Sequence, residues 1–178
     1  MEGSERGQTA GADSPRPGSL EDLYVRYLPE STRLAFLLTR DATSAEDLAQ
    51  EAFIKVAGRL RYLRTPDAFG AYLRRTLVNL CMSHHRREKV ARTYAEKVRA
   101  RSSGREPTSR LPDVETADEV RTALAELPDR QRAAIVLRYY EDLSEEQIAH
   151  SLGCSVGAAR NLVFRAMETL RSRFGEEQ

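Results

Sequence analysis

The sequence predicts an all-α protein: two small helical domains joined by a flexible linker. Apolar residues recur at three- and four-residue spacing along most of the chain instead of alternating. Helix-opening pairs, Ser19 with Asp22 and Ser144 with Gln147, stand where such stripes begin. Between two groups of stripes, Ser102-Ser103-Gly104, Pro107 and Pro112 rule out a continuous helix and read as a tether. Composition agrees. Of 178 residues, 31% are charged and only 7% aromatic, with no Trp, which suits small helical units better than a β-sandwich.

The elements follow in order. Residues 1–18 are Gly, Ser, Pro and charge with almost nothing to bury, and read as a disordered tail. Ser19 caps a first helix carrying Leu20, Leu23, Tyr24 and Tyr27; the stripe resumes at Leu34, Leu37 and Leu38 after Pro29, where a kink or break is expected. Ser44, with Asp47 at the capping-box position, opens a second helix whose buried stripe is Leu48, Ala52, Phe53, Val56, Ala57 and Leu60. Asp47, Gln50 and Glu51 share its opposite face. Thr65-Pro66-Asp67 starts a third helix, with Pro in the first turn. Its stripe is Phe69, Tyr72, Leu73, Thr76, Leu77 and Leu80, leaving Arg74, Arg75, Val78, Asn79 and Met82 facing elsewhere. No breaker precedes Lys89, so this helix is long. The first domain spans 19–97, the linker 98–115, the second domain 116–174, and residues 175–178 form a short tail.

The second domain begins with an acidic helix (Val120, Leu124, Leu127) and a helix opened by Pro128 (Ala134, Ile135, Leu137, Tyr139). Its last two helices form a helix-turn-helix. Ser144 and Gln147 make a capping box, Ala149 is the small residue where the helices cross, Gly153 turns the chain, and Ser155 caps the second helix, which runs to about Phe174. Ile148, Leu152, Cys154, Ala159 and Leu162 take the interior positions. Ser155, Val156, Gly157, Arg160, Asn161 and Phe164 are left on the outer face, the one a major groove would receive. Arg160 matches guanine and Asn161 adenine, while Arg165, Arg171 and Arg173 suit phosphates. The pattern predicts DNA binding.

Charge is segregated. Residues 72–105 hold ten Lys/Arg against Glu88 and Glu96, a net +8; residues 41–51 hold four acids and no base; residues 113–129 are net −5. Such a chain presents different faces to different partners. The start lacks a signal peptide's basic and apolar stretches, and no apolar run approaches the ~20 residues that span a bilayer, so a cytoplasmic protein is expected. Cys81 and Cys154 form no disulfide framework. Cys81 with His84 and His85 makes a weak zinc site, because adjacent side chains diverge by about 100° on a helix. With no phosphate loop, no nucleophile–base set and His only at 84, 85 and 150, no catalysis, metal or cofactor is expected.

A helix-turn-helix alone would fit a stand-alone repressor or activator. The first domain points elsewhere. Ala45-Glu46-Asp47-Leu48-Ala49-Gln50-Glu51-Ala52-Phe53 resembles the D-x-x-Q-E-x-F signature of bacterial RNA polymerase sigma factors. Residues 71–79 followed by Arg86-Arg87 resemble that family's melting and minus-ten-reading helix. Leu127-Pro128-Asp129-Arg130-Gln131-Arg132 and residues 153–165 resemble its C-terminal domain. Order and spacing are similar to the extracytoplasmic-function group, which keeps only the second and fourth sigma domains. The resemblance implies that Asp47, Gln50 and Glu51 grip the polymerase clamp coiled coil. It implies that Asn79 lies at the unpaired minus-ten bases while Arg74, Arg75, Arg86 and Arg87 hold that strand. Ser155, Arg160, Asn161, Phe164, Arg165 and Arg171 would meet the minus-thirty-five element. Implied partners are core RNA polymerase (clamp and flap), promoter DNA and, where one exists, an anti-sigma protein, with no membrane insertion. In that family the linker threads toward the polymerase active-site cleft and RNA exit path, and a mere tether is the other reading of residues 98–115. The chain departs from the pattern at Tyr72 in place of Trp, Ser83 in place of Asp, and Ala158-Ala159 in place of Thr-Val.

Overall fold

A computed structural model describes residues 19–59, 66–99 and 115–175. Seven helices occupy them: α1 (Leu20–Thr39), α2 (Ala42–Ala57), α3 (Pro66–Arg99), α4 (Glu115–Glu126), α5 (Asp129–Tyr139), α6 (Glu145–Leu152) and α7 (Val156–Gly175). The expected tails apart from Gly175, which ends α7, most of the linker, and Leu60 and Thr65 lie outside the described residues.

Local signals set most helix ends. At α1, Ser19 Oγ accepts from Asp22 N–H at 3.1 Å while Asp22 Oδ2 accepts from Ser19 N–H at 3.2 Å, the expected capping box. Two expectations fail here. α1 runs unbroken through Pro29. Proline removes one donor, to the Val25 carbonyl, and Val25 and Pro29 are both exposed, so water can serve that carbonyl. Nor does Ser44 open α2. Arg40 takes a left-handed conformation (φ 64°), the chain turns at once, and Asp41 becomes the cap, accepting from Ser44 N–H at 2.7 Å. Hydrogen bonding from the Ser44 side chain, and then from its backbone N–H, holds the Asp41 carboxyl below its usual range.

The first bundle packs α1, α2 and α3 around Leu34, Leu38, Leu48, Val56, Leu73 and Leu77. An aromatic cluster ties the three helices together: Tyr24 meets Phe53 edge-on at 5.1 Å, Phe53 meets Phe69 at 5.6 Å, and Tyr27 meets Phe69 at 5.4 Å. Gly70 admits Tyr27 closely; a Cβ there would lie 3.0 Å from the ring. Full burial of each such Leu or Phe side chain contributes roughly 1.5–3 kcal/mol. The second bundle packs α4–α7 around Leu127, Ile135, Leu137, Leu143 and Ile148. Ala133, Ala134, Ala149, Ala159 and Ala166 are buried where its helices cross, and the short side chains let the backbones approach.

The bundles do not sit apart. α5 packs on α1 and α3, and α6 packs on α3. Arg132 of α5 is the main polar tie: Nη1 donates to the Leu38 carbonyl at 2.8 Å, and Nε and Nη2 donate to Leu124 and Leu127 carbonyls at 2.8 and 2.9 Å. The second bundle also explains why Val78, expected to face away from the core, is 0% exposed. Arg74, Val78, Cys81 and His85 form an i, i+4, i+7, i+11 stripe, and its polar ends reach Glu141 and the Leu38 carbonyl.

Candidate nucleic-acid and docking interfaces

The acidic face of α2 comes from its register. With Leu48, Ala52, Phe53 and Val56 turned into the core, Asp47, Gln50 and Glu51 are all exposed on the far side. Glu51 is held by Lys55 at 2.6 Å, a surface pair that a charged partner could replace at little cost. Ile54, 70% exposed, lies on the same face and was not singled out from the sequence. Its i+3, i+4 and i+7 spacing from Glu51, Gln50 and Asp47 was the available signal. An acidic face with an apolar centre on a rigid helix suits a protein partner.

On α3 the five expected nucleic-acid contacts divide. Arg75, Asn79 and Arg86 follow one side of the helix by i, i+4, i+11 spacing; Asn79 and Arg86 are exposed. Arg87 is exposed and, with Arg86, Leu80, Val90 and Tyr94, lines an open groove of about 740 Å³ beside α2. Val90 and Tyr94 are exposed apolar residues the sequence reading missed, because they lie beyond the motif. Arg74 points the other way, its Nε donating to Glu141 Oε2 at 2.6 Å. Arg75 Nη1 lies 3.0 Å from His150 Nε2 on α6. Both thus engage the second bundle. Tyr72 accepts a hydrogen bond from Arg59, whose guanidinium lies 5.9 Å from the ring centroid. Cys81 is buried, which pushes its thiol up to about 12, and His85 Nε2 lies 2.9 Å from the Leu38 carbonyl oxygen. Among the described residues no cluster of His, Cys, Asp and Glu could hold a metal ion.

The helix-turn-helix is assembled from local rules. Ser144 and Gln147 close the capping box of α6, with contacts of 3.3 and 2.8 Å. Gly153 sits at φ 60°, in the left-handed region a glycine enters without strain, and Cys154 N–H closes the helix end on the Ala149 carbonyl. Ser155 Oγ then accepts from Ala158 N–H at 3.2 Å to cap α7. Ile148, Leu152 and Ala159 are buried, with Cys154 and Leu162 packed against them. Ser155, Gly157, Arg160, Asn161, Phe164, Arg165 and Arg171 are exposed, while Val156 is partly buried. Arg160 pairs with Glu145 and Arg173 with Glu126, so both face acids of their own bundle.

One bundle with an exposed acidic face and a long basic helix, and a second with a helix-turn-helix, define a multidomain DNA-binding transcription protein. Residues 23–90 match the sigma-70 region 2 family, and residues 117–170 match sigma-70, region 4. The RNA polymerase sigma-E factor of Streptomyces avermitilis is 32% identical over 158 residues, covering 83% of this chain and 81% of that protein. The RNA polymerase sigma-H factor of Pseudomonas aeruginosa is 32% identical over 162 residues, covering 83% and 82%. Among solved structures, the sigma factor RpoE in complex with the anti-sigma factor NepR, from Bartonella quintana, superposes with TM-score 0.72 at 23% identity, over 89% of this chain and 98% of that one. The chain belongs to the sigma-70 family of RNA polymerase sigma factors, in the extracytoplasmic-function group. It therefore serves as a sigma factor in transcription initiation; the stand-alone regulator is not favoured, since the first bundle matches region 2. Among the described residues no helix is long and apolar enough to cross a membrane.

Proposed function

We propose that Asp47, Gln50 and Glu51, with Ile54 at their centre, dock the chain on the clamp coiled coil of core RNA polymerase. The observation that carries this is their joint exposure on a helix whose other side is the core of the first bundle. Residues 19–97 then form the polymerase-docking and minus-ten domain and residues 116–174 the minus-thirty-five domain. Asn79 offers donor and acceptor to the edge of an unstacked base. Arg75, Arg86 and Arg87 hold the phosphates of the melted strand, where electrostatics dominate affinity. Arg74 joins them once it leaves Glu141, and Arg75 must likewise leave His150. Opening of the two bundles therefore accompanies promoter binding. Ser155, Arg160, Asn161 and Phe164 enter the major groove upstream, with Arg165 and Arg171 on phosphates.

The chain performs no catalysis of its own, works in the cytoplasm, and joins the nucleoid as part of holoenzyme. Its partners include the polymerase flap and an anti-sigma protein. The anti-sigma partner is supported by the fold shared with the NepR-bound sigma factor and with CnrH bound to the cytosolic domain of CnrY (TM-score 0.63, 22% identity). The docking surface is tested with Asp47→Arg combined with Glu51→Arg. Both side chains are exposed, so the melting curve should not move while affinity for core polymerase is lost. Equal affinity of the wild type and the double variant would remove this face from the site.

A further inference from the structure

We propose that Glu145 is a positioning residue for promoter reading: it aims the Arg160 guanidinium at a single base pair. The inference rests on the reading of α7 as the minus-thirty-five helix. Arg160 is 69% exposed, and a free arginine there would sample many rotamers. Here it does not swing free. Its Nε donates to both carboxylate oxygens of Glu145, at 3.0 and 2.9 Å, and Nη2 donates to Oε2 at 2.6 Å.

Glu145 is available for this because its neighbours do the capping. Ser144 and Gln147 close the capping box, and Glu146 Oε2 accepts from Ser144 Oγ at 2.7 Å. The place of Glu145 in the first turn of α6 favours its ionised form. The Arg160 bond lowers its pKa further, so the carboxylate is charged at neutral pH.

The geometry leaves a defined face of the guanidinium. Of five N–H groups, the carboxylate takes Nε–H and one on Nη2. Two on Nη1 and the outer one on Nη2 remain. One Nη1–H and the outer Nη2–H run parallel along the end of the guanidinium, the fork that fits O6 and N7 of guanine. The same carboxylate repels phosphates. Glu145 thus strengthens discrimination while weakening general attraction to DNA, and a merely structural residue would not produce that opposition.

The test uses holoenzyme reconstituted with core polymerase. The preferred minus-thirty-five sequence is first selected from a randomised upstream element, and affinities are then measured for it and for each single-base variant. Arg160→Ala should erase discrimination at one base pair, worth roughly tenfold for a bidentate contact. Glu145→Ala should cut discrimination at that same base pair to about twofold while raising affinity for unrelated DNA. The double variant should be no less selective than Arg160→Ala alone, the signature of two residues acting as one unit. Glu145→Gln, which keeps an acceptor oxygen and the helix, should fall between. If Arg160→Ala erases the discrimination and Glu145→Ala leaves it within twofold of wild type, the positioning role is overturned. If Arg160→Ala weakens all sequences evenly, the base-contact reading itself fails and the proposal falls with it.

Discussion

Replacing Arg132 by Met should be among the most destabilising changes in the second bundle that leave every apolar core residue in place. Arg132 is 3% exposed, yet it is charged; burial and the nearby Arg40 lower its pKa, without bringing an arginine near neutrality. What offsets its desolvation is a set of helix-end carbonyls. Leu124 and Ala125 are in the last turn of α4, Leu127 follows it directly, and Leu38 is in the last turn of α1, where carbonyls lack intrahelical donors. Asp129 Oδ1, at 3.3 Å, adds a carboxylate. Methionine fills much of the volume but donates nothing. Three short bonds from a charged donor are lost, each worth about 1.5–3 kcal/mol. The Leu38 carbonyl keeps His85 Nε2 at 2.9 Å and Leu124 keeps the Leu127 N–H at 3.3 Å, which limits the loss, and the guanidinium no longer has to be desolvated. The net loss is about 2–4 kcal/mol. At roughly 2–4 °C per kcal/mol for a chain of this size, the melting midpoint should fall by about 4–16 °C. Lysine, which keeps the charge but lacks the planar fork, should lie between methionine and the wild type. Thermal and urea unfolding followed by circular dichroism measure this. A Met variant within 0.5 kcal/mol of wild type would show that desolvation cancels the carbonyl bonds, and the account of Arg132 as the tie between bundles would be wrong.

Asp41→Ala should cost about 1 kcal/mol by removing the α2 cap, and Asp41→Asn much less. Because the folded carboxyl titrates below its unfolded value, its stabilisation is present above the unfolded pKa near 3.8 and is lost as pH falls through the folded one; Asp41→Asn should abolish that part of the acid dependence of the melting midpoint. Gly153→Ala should cost about 1–2 kcal/mol in urea unfolding, since nothing lies within 4 Å of the added Cβ and only the positive φ opposes it. Asn79→Ala should fold normally, because the side chain is exposed, and should bind promoter duplex near normally in holoenzyme yet form open complexes poorly. A fluorescent base analogue in the minus-ten region reports this, and normal opening on duplex DNA would remove Asn79 from the site.

The sequence by itself determined what depends on a few neighbouring residues. The capping boxes at Ser19 and Ser144, the turn at Gly153 and the exposed trio on α2 were legible because a cap needs only three residues and a helix face only periodicity. Where two local solutions competed, the choice was less visible. Asp41 and Ser44 are both good caps, and the left-handed Arg40 ends α1 so abruptly that the earlier one serves. Pro29 likewise reads as a break until Val25 and Pro29 are seen to face water. The arrangement of the two bundles was decided by tertiary structure alone. Arg74, Val78, Cys81 and His85 share a stripe too mixed in chemistry to resemble a core face, and α5 and α6 come to lie on the helix that carries it. That docking gives Arg74 the Glu141 carboxylate, while His85 meets the Leu38 carbonyl of α1 within the first bundle, and it leaves Arg74 and Arg75 holding the second bundle where the sequence had them facing DNA. No periodicity within one helix records which other helix will cover it, because that depends on partners more than 40 residues away in the chain.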